Sequence, residues 1–371
     1  MFSGARALSG VGGLVVWVCA AWCQTPEDTL RHAVQLHQAG DLAGAIAEYR
    51  EVLKQAPENV MARSNLGAAL SGSGRYQEAI VEYQKALELQ PANLPVRMNL
   101  ALAFYKSAQI PQAAAELEHV LAERPRERQP SLLLSDCYLR LGANAKAIEL
   151  LTPLQQQAPD DKAIDYMLGT ALLRDGQRTQ GELLVDRILR DGDSAEAHLL
   201  LGESKLFAND FDGALEEFRK ALAINPQLPS LNGYYGTALA NAGDTAGAKA
   251  AFRKELAADP NDYTANFQLG KMLAQEGGYA DARRSFEQAL VQRPDDRAVR
   301  YELALLDLDE GLPARACAEL EKLVRENPRD VNAHISLAAA YYRLKRKQDG
   351  NRQRAIVLQL NAEKPASGGV R

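Results

Sequence analysis

The chain contains few of the residues on which catalytic sites, metal sites and disulfide frameworks depend. Its 371 residues include only four cysteines and five histidines, and aromatic residues make up 6% of the composition. The formal net charge of −5 argues against a general nucleic-acid binder, which would be basic. The rest of the composition, with 46% apolar residues, 25% charged residues and abundant alanine and leucine, favours a folded, helical protein.

The scarce cysteines and histidines form no metal or catalytic arrangement. Cys137 and Cys317 fall at different phases of the repeat described below and lie too far apart along it to form a disulfide, so we expect both to be small buried residues. His32 and His37 are five residues apart on a predicted helix and therefore point to different faces. No phosphate loop, calcium loop or catalytic constellation can be assigned, and we expect a non-enzymatic protein with no cofactor and no metal.

The first 23 residues differ from the rest of the chain. MFSGAR carries one positive charge and no acid, the apolar run LSGVGGLVVWVCAAWC follows, and Ala21 and Cys23 are small residues that precede Gln24. This layout is typical of a secretory signal peptide, and the apolar run is short for a transmembrane span. We therefore expect residues 1–23 to be a signal peptide cleaved after Cys23, with an uncleaved membrane anchor as the alternative.

From Pro26 onward the sequence repeats itself about every 34 residues. The segments GRYQEAIVEYQKALELQP, FDGALEEFRKALAINP and YADARRSFEQALVQRP are three versions of one pattern. When the chain is laid out in blocks, eight of the sixteen prolines fall at block position 32, and positions 8 and 20 are small in all ten blocks. The blocks start near residues 26, 60, 94, 128, 162, 195, 229, 263, 297 and 331.

Each block has the pattern of two helices joined by a turn. Stretches of helical periodicity flank block position 15, which is glycine in seven blocks. The small residues at positions 8 and 20 allow the two helices to approach closely, and large apolar residues at position 24 fill the space between blocks. The proline at position 32 ends the second helix, and acid pairs such as Asp160-Asp161 and Asp295-Asp296 are expected to cap the helix that follows.

These blocks resemble tetratricopeptide repeats. Within one block the family's pattern is followed by Leu66, Gly67, Leu70, Ala79, Tyr83, Ala86 and Pro91. The resemblance covers residues 26 to about 363 and implies an all-α fold, a right-handed α-solenoid superhelix of about ten helix-turn-helix repeats whose first helices line a concave groove. We accordingly divide the chain into the signal peptide (1–23), the repeat array (24–363) and a disordered tail (364–371).

Three features depart from the family's pattern. The bulky residue at position 4 is missing in every block, and the large residues at position 5 are expected to supply its bulk. Block five has 33 residues and carries Asp191-Gly192-Asp193 where the proline should be, which predicts a weak interface in the stack. The second half of block ten, around residues 351–360, loses the pattern and becomes basic, as is usual for a terminal repeat with one face in water.

The concave positions carry the candidate binding residues. The resemblance implies that positions 2, 5, 9, 12 and 13 of each first helix face the groove, and large apolar residues at such positions commonly mark a binding surface. In blocks five and six these residues are Tyr166, Leu173, Leu199, Leu206 and Phe207. The alternative is that they pack between neighbouring first helices.

Polar residues at two further phases complete the predicted site. Position 13 carries Lys106, Arg140 and Arg174, which stacked repeats would align into a positive stripe. Because arginine pairs well with carboxylates, the stripe predicts a site for acidic side chains or a chain terminus; a solvated basic face is the alternative. Asn65 and Asn99 share position 6 and resemble the start of an asparagine ladder that grips a peptide backbone.

Together these features predict a non-enzymatic protein–protein interaction scaffold of the bacterial cell envelope or periplasm, which binds an extended peptide or a partner helix in its groove. An accessory or regulatory subunit of an envelope enzyme, or of a secretion or assembly machine, is the alternative. The basic segment 343–354 suggests a third hypothesis, a binder of anionic polymer or lipid surfaces, although the acidic net charge argues against it. We expect no nucleic-acid partner, and membrane contact only if the N-terminal segment is uncleaved.

Overall fold

The computed structural model describes residues 25–190 and 192–363. The predicted signal peptide at 1–23 and the predicted disordered tail at 364–371 lie outside these residues. Within the described ranges the secondary structure consists of twenty helices and contains no strand, so the all-α prediction is confirmed. The chain divides into two compact units, Met1–Pro91 and Ala92–Arg371.

The first unit contains two helical hairpins. Its helices are α1 (Pro26–Gln38), α2 (Leu42–Gln55), α3 (Val60–Gly72) and α4 (Tyr76–Leu89). Each helix packs against the next in the chain, and α1 also contacts α3. This is the arrangement of stacked helix-turn-helix repeats.

The second unit contains eight further hairpins, and in it the first helices of successive repeats, from α7 to α19, lie side by side. Its helices are α5 (Leu94–Lys106), α6 (Ile110–Glu123), α7 (Arg128–Arg140), α8 (Asn144–Gln157), α9 (Lys162–Arg174), α10 (Arg178–Leu189), α11 (Ala195–Phe207), α12 (Phe211–Ile224), α13 (Leu231–Asn241), α14 (Thr245–Ala258), α15 (Tyr263–Gln275), α16 (Tyr279–Gln292), α17 (Arg297–Asp309), α18 (Pro313–Glu326), α19 (Val331–Arg343) and α20 (Lys347–Ala362).

Short polar side chains and glycines fix where the helices begin and end. Asp161 caps α9 by accepting hydrogen bonds from the backbone N–H groups of Ala163 and Ile164, at 3.1 and 3.4 Å, and Asp296 caps α17 in the same way. These are the caps expected of the acid pairs. Only α13 begins later than its repeat, at Leu231, because Pro229 and Ser230 form a turn in which Ser230 has a φ of +64°.

The small residue at position 8 makes room for the large residue at position 24 of the same repeat. The Phe218 ring is fully buried against Gly202, where an added Cβ would lie 2.3 Å from a ring carbon. The same contact joins Gly236 to Phe252, with a Cβ distance of 2.7 Å. Because an alanine Cβ cannot be accommodated at such distances without movement of the ring, the glycine and the ring are matched in shape.

Position 4, where the family's bulky residue is missing, holds the two helices of a repeat together by polar contacts. Five of these side chains pair with position 23 of the same repeat, at distances between 2.5 and 2.9 Å. The pairs are Arg63–Glu82, Arg97–Glu116, His198–Glu217, Arg300–Glu319 and His334–Gln353. Hydrogen bonds and ion pairs therefore take the place of apolar packing at this position.

In blocks five and ten the glycine lies on the second helix, at position 20, and the large side chain that packs against it comes from the first helix. Leu173 fills the space beside Gly181, and Tyr342 fills the space beside Gly350. The second helix of block five, α10, has 12 residues where most others have 14. The basic second half of block ten still forms a helix, α20, and most of its side chains face solvent.

The two cysteines beyond the N-terminal segment are buried and unpaired, as the sequence predicted. Burial raises the pKa of the Cys137 thiol to about 12 and that of Cys317 to about 11, so both remain protonated at neutral pH. Across the described ranges, none of the helices combines the length and the apolar character needed to cross a membrane.

A candidate protein-binding cavity

A cavity of about 940 Å³ lies in the second unit, lined mainly by first helices of successive repeats. Helices α7, α9, α11, α13 and α15 all contribute side chains to it, and the second helices contribute few. The resemblance implied that first helices would line a groove, and the cavity is on that surface. Its volume is at the upper end of the range usual for ligand sites.

One wall of the cavity is apolar. Leu206 and Phe207 end helix α11, and Phe211 and Leu228 line the wall nearby. Phe207 is 47% exposed, whereas Leu206 is buried. The helix stops there because Asn209 adopts a left-handed φ of +61°, which turns the chain toward α12. The Phe207 ring is thus a large apolar group left open to solvent at the edge of the cavity.

Arg140 connects two parts of the chain that are far apart in sequence. Its Nε donates to Asp136 Oδ2 at 2.9 Å, and its Nη1 donates to Asp259 Oδ2 at 3.0 Å, across 119 residues. The guanidinium also lies over the Tyr105 ring, 5.3 Å from the centroid, and the Tyr105 hydroxyl donates to Asp136 at 2.5 Å. Burial and the neighbouring Asp136 raise the pKa of Tyr105. Arg140 therefore links α7 to the end of α14 at the wall of the cavity.

Arg293 lies beside Arg140, and sequence reasoning missed it. Its Nε donates to the carbonyl oxygen of Arg140 at 2.7 Å, and its guanidinium carbon lies 3.7 Å from the centroid of the Tyr263 ring. Tyr263 in turn donates to Asp296 at 3.1 Å; burial and Asp296 raise the pKa of Tyr263, and Arg293 opposes that shift. Arg293 follows the second helix α16, so no rule about first helices could have selected it.

Arg174 is held by a buried acid. Its Nε lies 3.4 Å from Glu203 Oε2, and its guanidinium stacks on Tyr234 at 5.4 Å from the ring centroid. Glu203 is fully buried, and its Oε1 has no hydrogen-bond partner. Burial raises the pKa of Glu203, and Arg174 opposes this shift by favouring the ionised form. The charge of Arg174 is thus committed largely to a carboxylate of the protein itself.

The structure brings together five of the ten residues that the sequence proposed for the site. Tyr166, Arg140, Arg174, Leu206 and Phe207 all line the cavity. The positive stripe does not form as expected, because Arg140 and Arg174 are paired with acids.

The other five proposed residues lie elsewhere. Leu173 and Leu199 are buried in the core, Leu173 beside Gly181 and Leu199 in the cluster around Phe218, so their prediction as exposed groove residues is wrong. Lys106 is exposed and Asn99 half-buried, and neither lines the cavity. Asn65 belongs to the first unit and does not line the cavity.

A second, smaller cavity of about 410 Å³ lies in blocks four and five. It is lined mainly by the second helices of these blocks, α8 and α10, which we call the outer helices. Its lining is mostly apolar, from helices α8, α9 and α10, and Leu183 is 60% exposed beside it. Arg187 and Arg190 also line it, and Arg187 pairs with Asp165 at 3.3 Å. The described residues contain no group of His, Cys, Asp and Glu side chains suited to hold a metal ion.

Comparison with protein families identifies the repeats. One tetratricopeptide-repeat model matches residues 30–93, 166–229 and 236–298, and a second matches 70–137, 106–165 and 273–340. The chain belongs to the tetratricopeptide-repeat family. Such repeats mediate protein–protein interactions, so this tetratricopeptide-repeat protein has the architecture of an interaction scaffold. The comparison with curated proteins gives no match.

Solved structures with a similar fold span most of the chain. A human IFIT1 dimer with PPP-AAAA has a TM-score of 0.51 at 16% identity, and the match covers 92% of each chain. The APC/C hetero-tetramer Cut9-Hcn1 has a TM-score of 0.55 at 14% identity, with 91% of this chain and 87% of the other covered. At these identities the likeness is one of fold.

Proposed function

We propose that this protein is a non-enzymatic scaffold that binds an extended segment of a partner protein in the 940 Å³ cavity. The observation that carries the proposal is Phe207, a large apolar side chain that is 47% exposed at the wall of a cavity built from first helices. An apolar wall bordered by charged and polar groups is the usual anatomy of a recognition site. Among the exposed large apolar residues of the described ranges, Phe207 is the one that lines the 940 Å³ cavity, whereas Leu199 and Phe218 of the same repeat are buried in the core.

A photo-crosslinking amino acid at position 207 tests this proposal. We expect it to capture a discrete protein from extracts of the native organism, because the position borders the cavity. The same amino acid at Leu358, which is 71% exposed on the terminal helix α20, is the matched control and should capture much less. Equal capture at both positions, or capture of lipid or polysaccharide alone, would contradict binding of a protein in the cavity.

The alternative, an accessory subunit of an envelope enzyme or assembly machine, is favoured by the second cavity. Its apolar lining and the 60% exposure of Leu183 provide a docking surface on the outer helices. A crosslinking amino acid at position 183 distinguishes the two modes. Capture at 183 without capture at 207 would favour docking on the outer helices.

We further propose that the protein is exported to a bacterial cell envelope, on the basis of the N-terminal sequence. The apolar run, the single preceding arginine and the small residues at 21 and 23 support export. The mature protein is expected to begin at Gln24. Mass spectrometry of protein purified from the envelope measures this directly, and retention of residues 1–23 or a lipid on Cys23 would contradict it.

A further inference from the structure

The arginines of the cavity differ in whether a carboxylate already pairs with them. Four arginines line it, and three form salt bridges: Arg128 with Asp161 at 2.5 Å, Arg140 with two aspartates, and Arg174 with Glu203. Among the described residues, no carboxylate forms a salt bridge with the fourth, Arg293. Its charge is therefore the one that a bound ligand can neutralise.

The guanidinium of Arg293 is held in a fixed position. One face lies on the Tyr263 ring, and the Nε is engaged by the carbonyl oxygen of Arg140. Gly142 lies against the guanidinium, since a Cβ built there would be in ordinary van der Waals contact with the guanidinium carbon at 3.4 Å. Because the guanidinium plane of Arg293 is already ordered, pairing of a carboxylate with its Nη1 and Nη2 would cost little additional side-chain entropy.

The other charges around the cavity restrict what this anion can be. Asp136 and Asp262 also line the wall, so a ligand with several negative charges would be repelled after the first is paired. Because the apolar wall formed by Leu206, Phe207 and Leu228 lines the same cavity as Arg293, a ligand that fills the cavity would carry an apolar side chain as well as its charge. A peptide with one acid near a bulky apolar residue meets both conditions, and a phosphate-rich polymer does not.

We propose that Arg293 binds a single carboxylate of the partner segment and thereby selects for a peptide with an acid near its apolar anchor. This inference rests on the proposed function. The carboxylate comes either from an Asp or Glu side chain or from a peptide C-terminus. Both sources offer the same two oxygens to the guanidinium.

Two random nonapeptide arrays test the proposal, one with both termini blocked and one with free C-termini. Wild-type protein is expected to select peptides with an Asp or Glu at one position on the blocked array, or a free terminus on the other. Replacing that acid with its amide should weaken binding to wild-type protein about 10- to 100-fold. The comparison is made on wild-type protein and does not depend on how a variant folds.

The variant Arg293→Met should lose this preference for acid over amide, and Arg293→Lys should keep part of it. Arg284→Met is the matched control, because Arg284 is an exposed arginine on α16, the helix that Arg293 follows, and its replacement should leave the preference unchanged. If peptides bind in a Phe207-dependent manner without an acid preference, the role of Arg293 is wrong and the cavity proposal stands. If no peptide binds in a Phe207-dependent manner, both are wrong.

Discussion

Replacing Phe218 with alanine is expected to lower the free energy of unfolding by about 3–5 kcal/mol. Phe218 is fully buried in the core cluster that spans α11 to α15. Truncation would remove the ring contacts with both helices of its repeat and leave a cavity beside Gly202. Urea unfolding followed by far-UV circular dichroism measures the change. The variant Ile224→Ala, at a position 49% exposed on the same helix, is the control and should change stability far less.

The same site allows a sharper test of shape matching. Gly202→Ala alone should destabilise the protein by about 1–3 kcal/mol, because the new Cβ would lie 2.3 Å from the Phe218 ring. In Gly202→Ala combined with Phe218→Leu the cost should be less than the sum of the two single changes. The chain already uses alanine–leucine pairs at these two positions, Ala101 with Leu117 and Ala304 with Leu320. Strictly additive costs would show that the glycine and the ring are not coupled.

The periodic part of the fold could be predicted from the sequence because each repeat is fixed by local spacing. The small residue at position 8, the turn glycine and the closing proline all act within about 34 residues of one another. The polar contacts at position 4 were harder to predict. The family's bulky residue is absent there, and only the 19-residue spacing of pairs such as Arg63–Glu82 and His198–Glu217 could have signalled a contact between helices.

The candidate site was predictable only in part because it depends on contacts between distant repeats. The Arg140–Asp259 pair spans 119 residues, and the hydrogen bond from Arg293 to the Arg140 carbonyl spans 153. Repeat phase shows which residues lie on one face, but it does not show how many repeats separate two facing walls. Leu173 was assigned to the groove by phase alone, and the glycine at 181 draws it into the core instead.

The cavity residues differ in how cleanly they report on binding. Tyr166 packs against two core clusters, so Tyr166→Ala would reduce stability as well as affinity. Charge reversal at Arg140 or Arg174 would place an acid beside Asp136 and Asp259, or beside the buried Glu203. Because these arginines are paired with acids, such reversals would disturb the cavity wall as well as slow association. Phe207, in contrast to Tyr166, does not belong to the core clusters of the described residues.

Phe207→Ala is therefore expected to weaken partner binding by about 1–3 kcal/mol, or about 5- to 150-fold, and to leave the unfolding midpoint nearly unchanged. The ring is 47% exposed, so its removal costs little folding energy but deletes the apolar anchor of the cavity wall. Isothermal titration with the captured partner measures the affinity. Ile224→Ala, at a similarly exposed apolar residue on a second helix, should bind normally. If instead Leu183→Ala abolishes binding and Phe207→Ala has no effect, the partner docks on the outer helices and the cavity is not the site.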